Sequence, residues 1–302
     1  MIDVCLLGCG GMMPLPDRRL TALLIRVSGK MVLLDCGEGT QVGLQLAGWG
    51  LSSLEAVCFT HYHADHIAGL PGLLATLGNS GKKTPLCLYG PPGLFSVMRG
   101  LSVLVPPLPF ETYLVEGPDS RKGTIRIGEA KLSSIPADHT APCFSYRLQL
   151  DRAGKFDEKR ALKQEIPQCL WKRLQKGESI QWNGRRIESQ MVLGPRRKGL
   201  KLCYCTDTRP TEEFLRFCRA SDLLICEGMY GQEEKRPDAI RKKHMTFSEA
   251  AALARDSGSK ELWLTHYSPS IKDPFVFLDL ARDIFPNAQA GEDLKKKTLF
   301  FA

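Results

Sequence analysis

Three features are scarce in this 302-residue sequence, and each scarcity excludes something. No stretch approaches the roughly 18 to 20 uncharged apolar residues of a membrane-crossing helix, so no membrane association is expected. The 11 cysteines are odd in number, scattered, and include no CxxC pair. A disulfide framework and a cysteine zinc site are therefore not expected; Cys203 and Cys205 alternate along one probable strand and share a side. Reduced, mostly buried thiols in a cytoplasmic protein are the expectation. The opening MIDVCLLGCGG has no basic stretch and no long apolar core, so it reads as a first strand and a glycine turn, not a secretory leader. LGCGGMMP (7–14) lacks the GxGxxG of a dinucleotide turn and reads as the rim of an active site, with no organic cofactor implied. Histidine is rarer still: His61, His63, His66, His139, His244 and His266 are all there are.

The net charge of +8 is local in origin. From Arg152 to Lys201 there are 14 Lys and Arg against five Asp and Glu, which leaves the rest of the chain close to neutral. Such a patch suits a polyanionic partner. Residues 152–198 also break the rhythm of the chain: they are charged, glycine-punctuated and weakly periodic. They read as an inserted arm without a core of its own, within a single domain over 1–302.

Elsewhere short apolar runs alternate with helical ones. VCLLG (4–8), ALLIRV (22–27), MVLLDCG (31–37), AVCFTH (56–61), KLSSIPADH (131–139), SYRLQL (145–150), LKLCYCTD (200–207), LLICEG (223–228) and ELWLTH (261–266) read as strands. Helices are expected over 67–78, 93–104, 211–220, 247–257 and 274–284. Strands interleaved with helices predict a layered α/β fold.

Three of the six histidines fall in His61-Tyr62-His63-Ala64-Asp65-His66, at the end of one strand, and His139 and His266 close two others. Active sites of layered α/β folds collect at strand-end loops. His61 and His63 can converge on one metal; Asp65 and His66, just ahead of a helix, can reach a second. Imidazole and carboxylate without thiolate suit zinc, with manganese or iron also compatible. Asp207 ends the strand LKLCYCTD, where a carboxylate can bridge two cations.

HxHxDH at 61–66 resembles the defining motif of the metallo-β-lactamase superfamily. DCGEGTQ (35–41), THYHADHIAGLPGLL (60–74), LYGPPG (88–93), DHTAPCFSYRL (138–148), TDTRP (206–210) and THYS (265–268) resemble its ribonuclease Z branch, the tRNA 3′-processing endonucleases. So does the arm, through GKFD (154–157), LWKRLQKGESI (170–180) and LGPRRKG (193–199). The resemblance covers nearly the whole chain. It implies a four-layer αβ/βα metallo-β-lactamase sandwich with an inserted basic arm. It implies two Zn2+ per subunit, one held by His61, His63 and His139, the other by Asp65, His66 and His266, with Asp207 bridging. Asp65 would also act as base toward the attacking water, and a Glu227–His244 pair would deliver a proton to the leaving oxygen. The implied reaction removes 3′ trailers from pre-tRNA, in a homodimer whose arm grips the tRNA. On the arm, Trp171 would stack on a base or ribose or pin the arm to the body. Lys172, Arg173, Lys176, Arg196, Arg197 and Lys198, with Arg185 and Arg186, would meet phosphates.

Four segments depart from the family's pattern. IPQCLWK (166–172) lacks its Gly-Pro pair, and Cys226-Glu227-Gly228-Met229 keeps only the glutamate of its His-Glu-Ala-Thr run. HYSPSIKDP (266–274) lacks an arginine, and Arg19 stands where asparagine is usual. None touches the metal cluster. An alternative substrate is a small or cyclic phosphodiester, or other RNA.

Overall fold

The computed structural model describes residues 1–117 and 124–302. Its strands run, in chain order, Ile2–Gly8 (β1), Ala22–Val27 (β2), Lys30–Leu34 (β3), Leu54–Cys58 (β4), Leu86–Gly90 (β5), Thr112–Glu116 (β6), Thr124–Ile127 (β7), Ala130–Pro136 (β8) and Phe144–Arg152 (β9). Then follow Ile180–Trp182 (β10), Arg185–Ile187 (β11), Arg197–Cys205 (β12), Leu223–Glu227 (β13), Leu262–Thr265 (β14), Ala288–Ala290 (β15) and Lys295–Leu299 (β16).

They form two seven-stranded sheets, β16-β1-β2-β3-β4-β5-β6 and β15-β14-β13-β12-β9-β8-β7, plus the hairpin β10-β11. Each large sheet is mixed: β3 to β6 and β12 to β15 run parallel, and the pairs from β16 to β3 and from β7 to β9 are antiparallel. Strands covered on both faces read as continuous apolar runs, which is why IDVCLLG and LLICE are buried almost throughout. The two sheets meet through an aromatic layer: Tyr89 stacks on Phe144 at 6.1 Å, and the Tyr146 hydroxyl donates to the Phe59 carbonyl across 2.5 Å. Over the first sheet lie the helices Thr40–Ala47, Leu70–Asn79 and Leu94–Leu101, whose leucines pack onto Leu24, Leu33, Val57 and Leu88. Over the second lies Phe247–Asp256, whose buried face is Phe247, Ala250, Ala251 and Ala254. This is a four-layer αβ/βα sandwich.

Local differences from the sequence reading have local causes. The single helix expected over 67–78 is two, Ala64–Ile67 and Leu70–Asn79. Pro71, in the first turn of the second helix, has no N–H to continue the first, and the Gly69 N–H turns aside to the Cys36 carbonyl at 3.0 Å. The strand expected over 31–37 ends at Leu34 because Asp35 takes the left-handed conformation, with φ at 60°. The helices Thr40–Ala47 and Arg236–Lys242 and the strands β5, β6, β7, β15 and β16 carry too short or too mixed an apolar pattern to have been read. All 11 cysteines are free, nine of them buried. Among the described residues no helix is long and apolar enough to cross a membrane.

The chain divides into two compact units, Met1–Gln149 with Lys201–Phe300, and Leu150–Leu200 with Phe301–Ala302. The second unit corrects one expectation: it encloses a core. Ala161, Ile166, Leu170, Leu174, Ile180, Ile187 and Val192 are buried together, with Phe156, Trp171 and Met191 against them. These residues alternate with charges at irregular spacing, so no period announced them. Asn183 and Gly184, both at positive φ, turn the β10-β11 hairpin, a position that favours such a pair.

Candidate metal centre

The catalytic candidates of the first unit sit just past strand ends: His61, His63, Asp65 and His66 after β4, His139 after β8, Asp207 after β12, Glu227 at the tip of β13, His266 after β14. Asp207 and His266 leave their strands at positive φ, 52° and 57°, as Asp35 does after β3. Strained non-glycine backbone of this kind persists where the surroundings over-determine it.

The seven expected ligands converge in two groups. One comprises His61, His63, His139 and Asp207; the other comprises Asp65, His66 and His266; the donor atoms within each lie within 4.8 Å of one another. In the first, His61 Nε2 is 2.8 Å from His63 Nδ1, and His139 Nε2 is 3.4 Å from the same atom. Both Nε2 atoms are 3.7 Å from Asp207 Oδ2. In the second, His66 Nε2 is 3.1 Å from His266 Nε2 and 3.6 Å from Asp65 Oδ2. The other Asp207 oxygen, Oδ1, is 3.4 Å from His66 Nε2 and 3.2 Å from His266 Nε2, so the carboxylate faces both groups. Bonds of about 2.0–2.2 Å to one cation set neighbouring donors roughly 3.3–3.5 Å apart; the separations here, from 2.8 to 3.7 Å, lie on either side of that value. Asp207 Oδ1 is buried with no hydrogen-bond donor among the described residues. Converging imidazole nitrogens and an orphaned carboxylate oxygen fit the binding of divalent metal.

The protonation tendencies agree at four of the ligands and not at His66. At His66 burial would lower the pKa, but Asp207 and Asp35 prevail and raise it, so that this imidazole must lose its proton before it can bind a cation. Burial outweighs the carboxylates at His61 and His139 and lowers both, leaving them neutral. At Asp65 and Asp207 burial is overcome by the surrounding histidines, and both carboxyls are held below the usual range.

Around the ligands lies a layer that sequence reasoning did not single out. Asp35, fully buried, accepts from the Thr60 N–H at 2.7 Å and lies 3.0 Å from His66 Nδ1, so it fixes which imidazole nitrogen turns to the metal. Thr60 Oγ1 does the same for His61 Nδ1 at 3.1 Å, and the Lys243 carbonyl for His139 Nδ1 at 3.3 Å. The Met12 N–H donates to Asp65 Oδ2 at 2.6 Å, which brings the glycine turn onto the site. Gly11 lies flat on the His266 ring; a Cβ there would come within 2.6 Å of Cε1. Asp35 stood inside the DCGEGTQ motif; its carboxylate at a strand end was the available signal.

Glu227 is fully buried and 3.0 Å from His244 Nδ1, and it also accepts from the Thr208 N–H at 2.6 Å and the Met245 N–H at 3.1 Å. Burial would lower the His244 pKa, but the charges of Glu227 and Asp207 prevail and raise it to about 9. His244 also lies within 4.8 Å of Asp207 and His266. With Nδ1 engaged by Glu227, the nitrogen left to face a substrate is Nε2.

The arm residues are placed differently from one another. Lys172, Arg173, Lys176, Arg196, Arg197 and Lys198 are exposed. Arg173 pairs with Glu178 at 2.7 Å, and Arg197 donates to the Ala153 carbonyl at 2.8 Å. Trp171, expected as a stacking platform or a pin to the body, is turned into the arm's own core. Its ring lies 5.3 Å from Phe156, and its Nε1–H donates to the Ile166 carbonyl at 2.9 Å.

Residues 16–118 match the family model described as metallo-beta-lactamase superfamily, and 171–267 the one described as beta-lactamase superfamily domain. Among solved structures, the short form of human tRNase Z superposes with a TM-score of 0.68 at 23% identity, 98% of each chain being covered. The metallo-beta-lactamase fold protein YhfI of Bacillus subtilis does so with 0.68 at 19%, over 99% of this chain and 100% of that one. Fold and site together define a metal-dependent hydrolase of the metallo-β-lactamase superfamily. "Ribonuclease Z" of Clostridium kluyveri is 48% identical over 301 residues, covering 100% of this chain and 99% of the relative. "Ribonuclease Z" of Lachnoclostridium phytofermentans has the same identity and coverage. The chain belongs to the ribonuclease Z family and is an endoribonuclease.

Proposed function

We propose that this chain removes 3′ trailers from pre-tRNA in the cytoplasm, as a homodimer with two Zn2+ per subunit. The observation that carries the reading is the Asp207 carboxylate, which turns one oxygen toward each of two histidine groups, beside a buried Glu227–His244 pair. His61, His63 and His139 would hold one ion and Asp65, His66 and His266 the other, with Asp207 between them. When bound, such ions supply charge neutralisation at the phosphoryl oxygens and an activated water. Asp65, its carboxylate aimed by the Met12 N–H, would take a proton from the attacking water. His244 gives its Nε2 proton to the departing 3′ oxygen, while Glu227 keeps the imidazole charged and oriented. The exposed basic side chains of the arm contact RNA phosphates without reading sequence, which suits a substrate class alike in shape.

The test is cleavage of a 3′-extended pre-tRNA by zinc-loaded protein, mapped at nucleotide resolution, beside Asp65→Ala and a deletion of 153–198. A discrete cut at the 3′ end of the acceptor stem, absent in Asp65→Ala and weakened by the deletion, is expected. Asp65-dependent hydrolysis of bis(p-nitrophenyl) phosphate with no cut on pre-tRNA would replace this reading with a phosphodiesterase for another substrate.

A further inference from the structure

His244 occupies a loop. It follows Lys243, which closes the helix Arg236–Lys242 in the left-handed conformation, and precedes the helix Phe247–Asp256. A proton donor in a loop delivers well only if its backbone is held, since an error of about 1 Å in placement can cost about 100-fold in rate. Glu227 aims the ring at 3.0 Å and holds one side of the following peptide through the Met245 N–H at 3.1 Å, and the His244 N–H donates to the Ala239 carbonyl at 2.8 Å; the His244 carbonyl needs a partner of its own.

The group that holds this carbonyl is two residues past Asp207. The Arg209 guanidinium donates from Nη1 to the His244 carbonyl and to Glu249 Oε2 at 2.9 Å, and from Nη2 to Glu249 Oε1. Glu249 is itself anchored: it belongs to the capping box of the helix Phe247–Asp256, accepting from the Thr246 N–H at 3.0 Å. The Arg209 backbone is tied as well, its N–H donating to the Asp138 carbonyl at 3.1 Å, beside His139. The side chains are 16% and 8% exposed, so water does not compete strongly for these bonds.

We propose that Arg209 is a positioning residue for proton delivery: it transfers the rigidity of the capped helix to the His244 peptide. A buried ion pair is by itself weak evidence for stability. The third acceptor, the His244 carbonyl, is what gives this pair a role in the reaction. A planar fork presents separated donors in a fixed geometry that matches both carboxylate oxygens and a carbonyl, whereas an ammonium group on a flexible stem offers its three donors from a single point. As the P–O3′ bond breaks, its electron pair goes to the 3′ oxygen and the His244 Nε2 proton follows; the new P–O bond is to water, whose proton goes to Asp65. Arg209 touches none of the reacting atoms. The inference rests on the reading of His244 as the donor.

The experiment compares Arg209→Lys, Glu249→Gln and His244→Ala on two substrates, 3′-extended pre-tRNA and bis(p-nitrophenyl) phosphate. A ribose 3′ oxygen needs a proton to leave, and p-nitrophenolate does not. For Arg209→Lys, kcat on RNA should fall about 10- to 100-fold at little-changed KM, and the loss on the aryl ester should be at least about tenfold smaller. Bound zinc, measured by plasma emission, should match wild type. Equal losses on both substrates, lost zinc, or an effect confined to KM would overturn the proposal. If Arg209→Lys does not fold, Glu249→Gln decides by the same criteria. If His244→Ala shows no difference between the substrates, the donor reading itself fails; if it shows one and both other variants do not, only the role of Arg209 fails.

Discussion

Asp35 Oδ2 lies 3.0 Å from His66 Nδ1, and neither side chain is exposed to solvent. The carboxylate holds the ring so that Nε2 points at Asp65, Asp207 and His266. A partner behind a metal-binding histidine typically contributes about 10- to 100-fold in metal affinity. Asp35→Ala should therefore weaken zinc binding by about that factor with the fold retained. Competition titration against a chromophoric chelator measures it, and unchanged affinity would remove Asp35 from the metal centre.

Gly11 is required by its neighbour and not by its backbone. A Cβ would stand 2.6 Å from His266 Cε1, and the ring cannot retreat without leaving Asp65 and Asp207. Gly11→Ala should lower zinc occupancy and hydrolysis of both RNA and aryl ester together. Circular dichroism should stay native, because the clash is confined to one side chain. Retention of full occupancy would show that the ring gives way without cost.

The arm's own core predicts a separation of its folding from the metal chemistry. Leu174 is fully buried in that core, and truncating such a leucine to alanine costs about 2–5 kcal/mol. Leu174→Ala should raise KM for pre-tRNA and leave bis(p-nitrophenyl) phosphate hydrolysis near wild type. Replacing Arg196 or Lys172 by alanine should instead flatten the salt dependence of RNA binding, by about one unit of slope for each phosphate that the side chain had neutralised. Identical salt slopes in wild type and variants would place RNA elsewhere.

Glu249 gives the pH dependence of stability. Burial would raise its pKa, but Arg209 and the Thr246 N–H prevail, so the folded value lies below the ordinary carboxylate value. A group depressed in this way stabilises the fold above its unfolded pKa, and that stabilisation is lost as pH falls through the folded pKa. Denaturant titrations across the acid range should show Glu249→Gln less stable than wild type near neutrality, with the gap closing as the medium is acidified. A gap that stays constant would mean that the Glu249 charge contributes nothing.

The candidate metal ligands were legible because their signal is local. HxHxDH occupies six residues in a chain with six histidines, and His139, Asp207 and His266 each end a run that reads as a strand. What surrounds them was not legible. Asp35 and His66 are 31 positions apart and meet only because β3 and β4 are parallel neighbours, which puts their ends side by side. Arg209 and Glu249 are 40 apart, joined through β13 and the loop after it. The arm's core was missed for a related reason: its seven buried residues are spread over two short helices and a hairpin, too short for any period to stand out.

By itself, then, the sequence determined the layered α/β fold and pointed to the histidines and aspartates that the structure gathers into one cluster. Apolar periodicity and strand-end residue type are properties of neighbouring positions in the chain. The tertiary structure decided which nitrogen each histidine presents, that Trp171 faces its own arm, and that the His244 carbonyl meets Arg209. Each depends on the register of strands and the capping of helices far apart in sequence. Hydrogen-bond geometry, correct only within a few tenths of an ångström, exists nowhere until those elements pack.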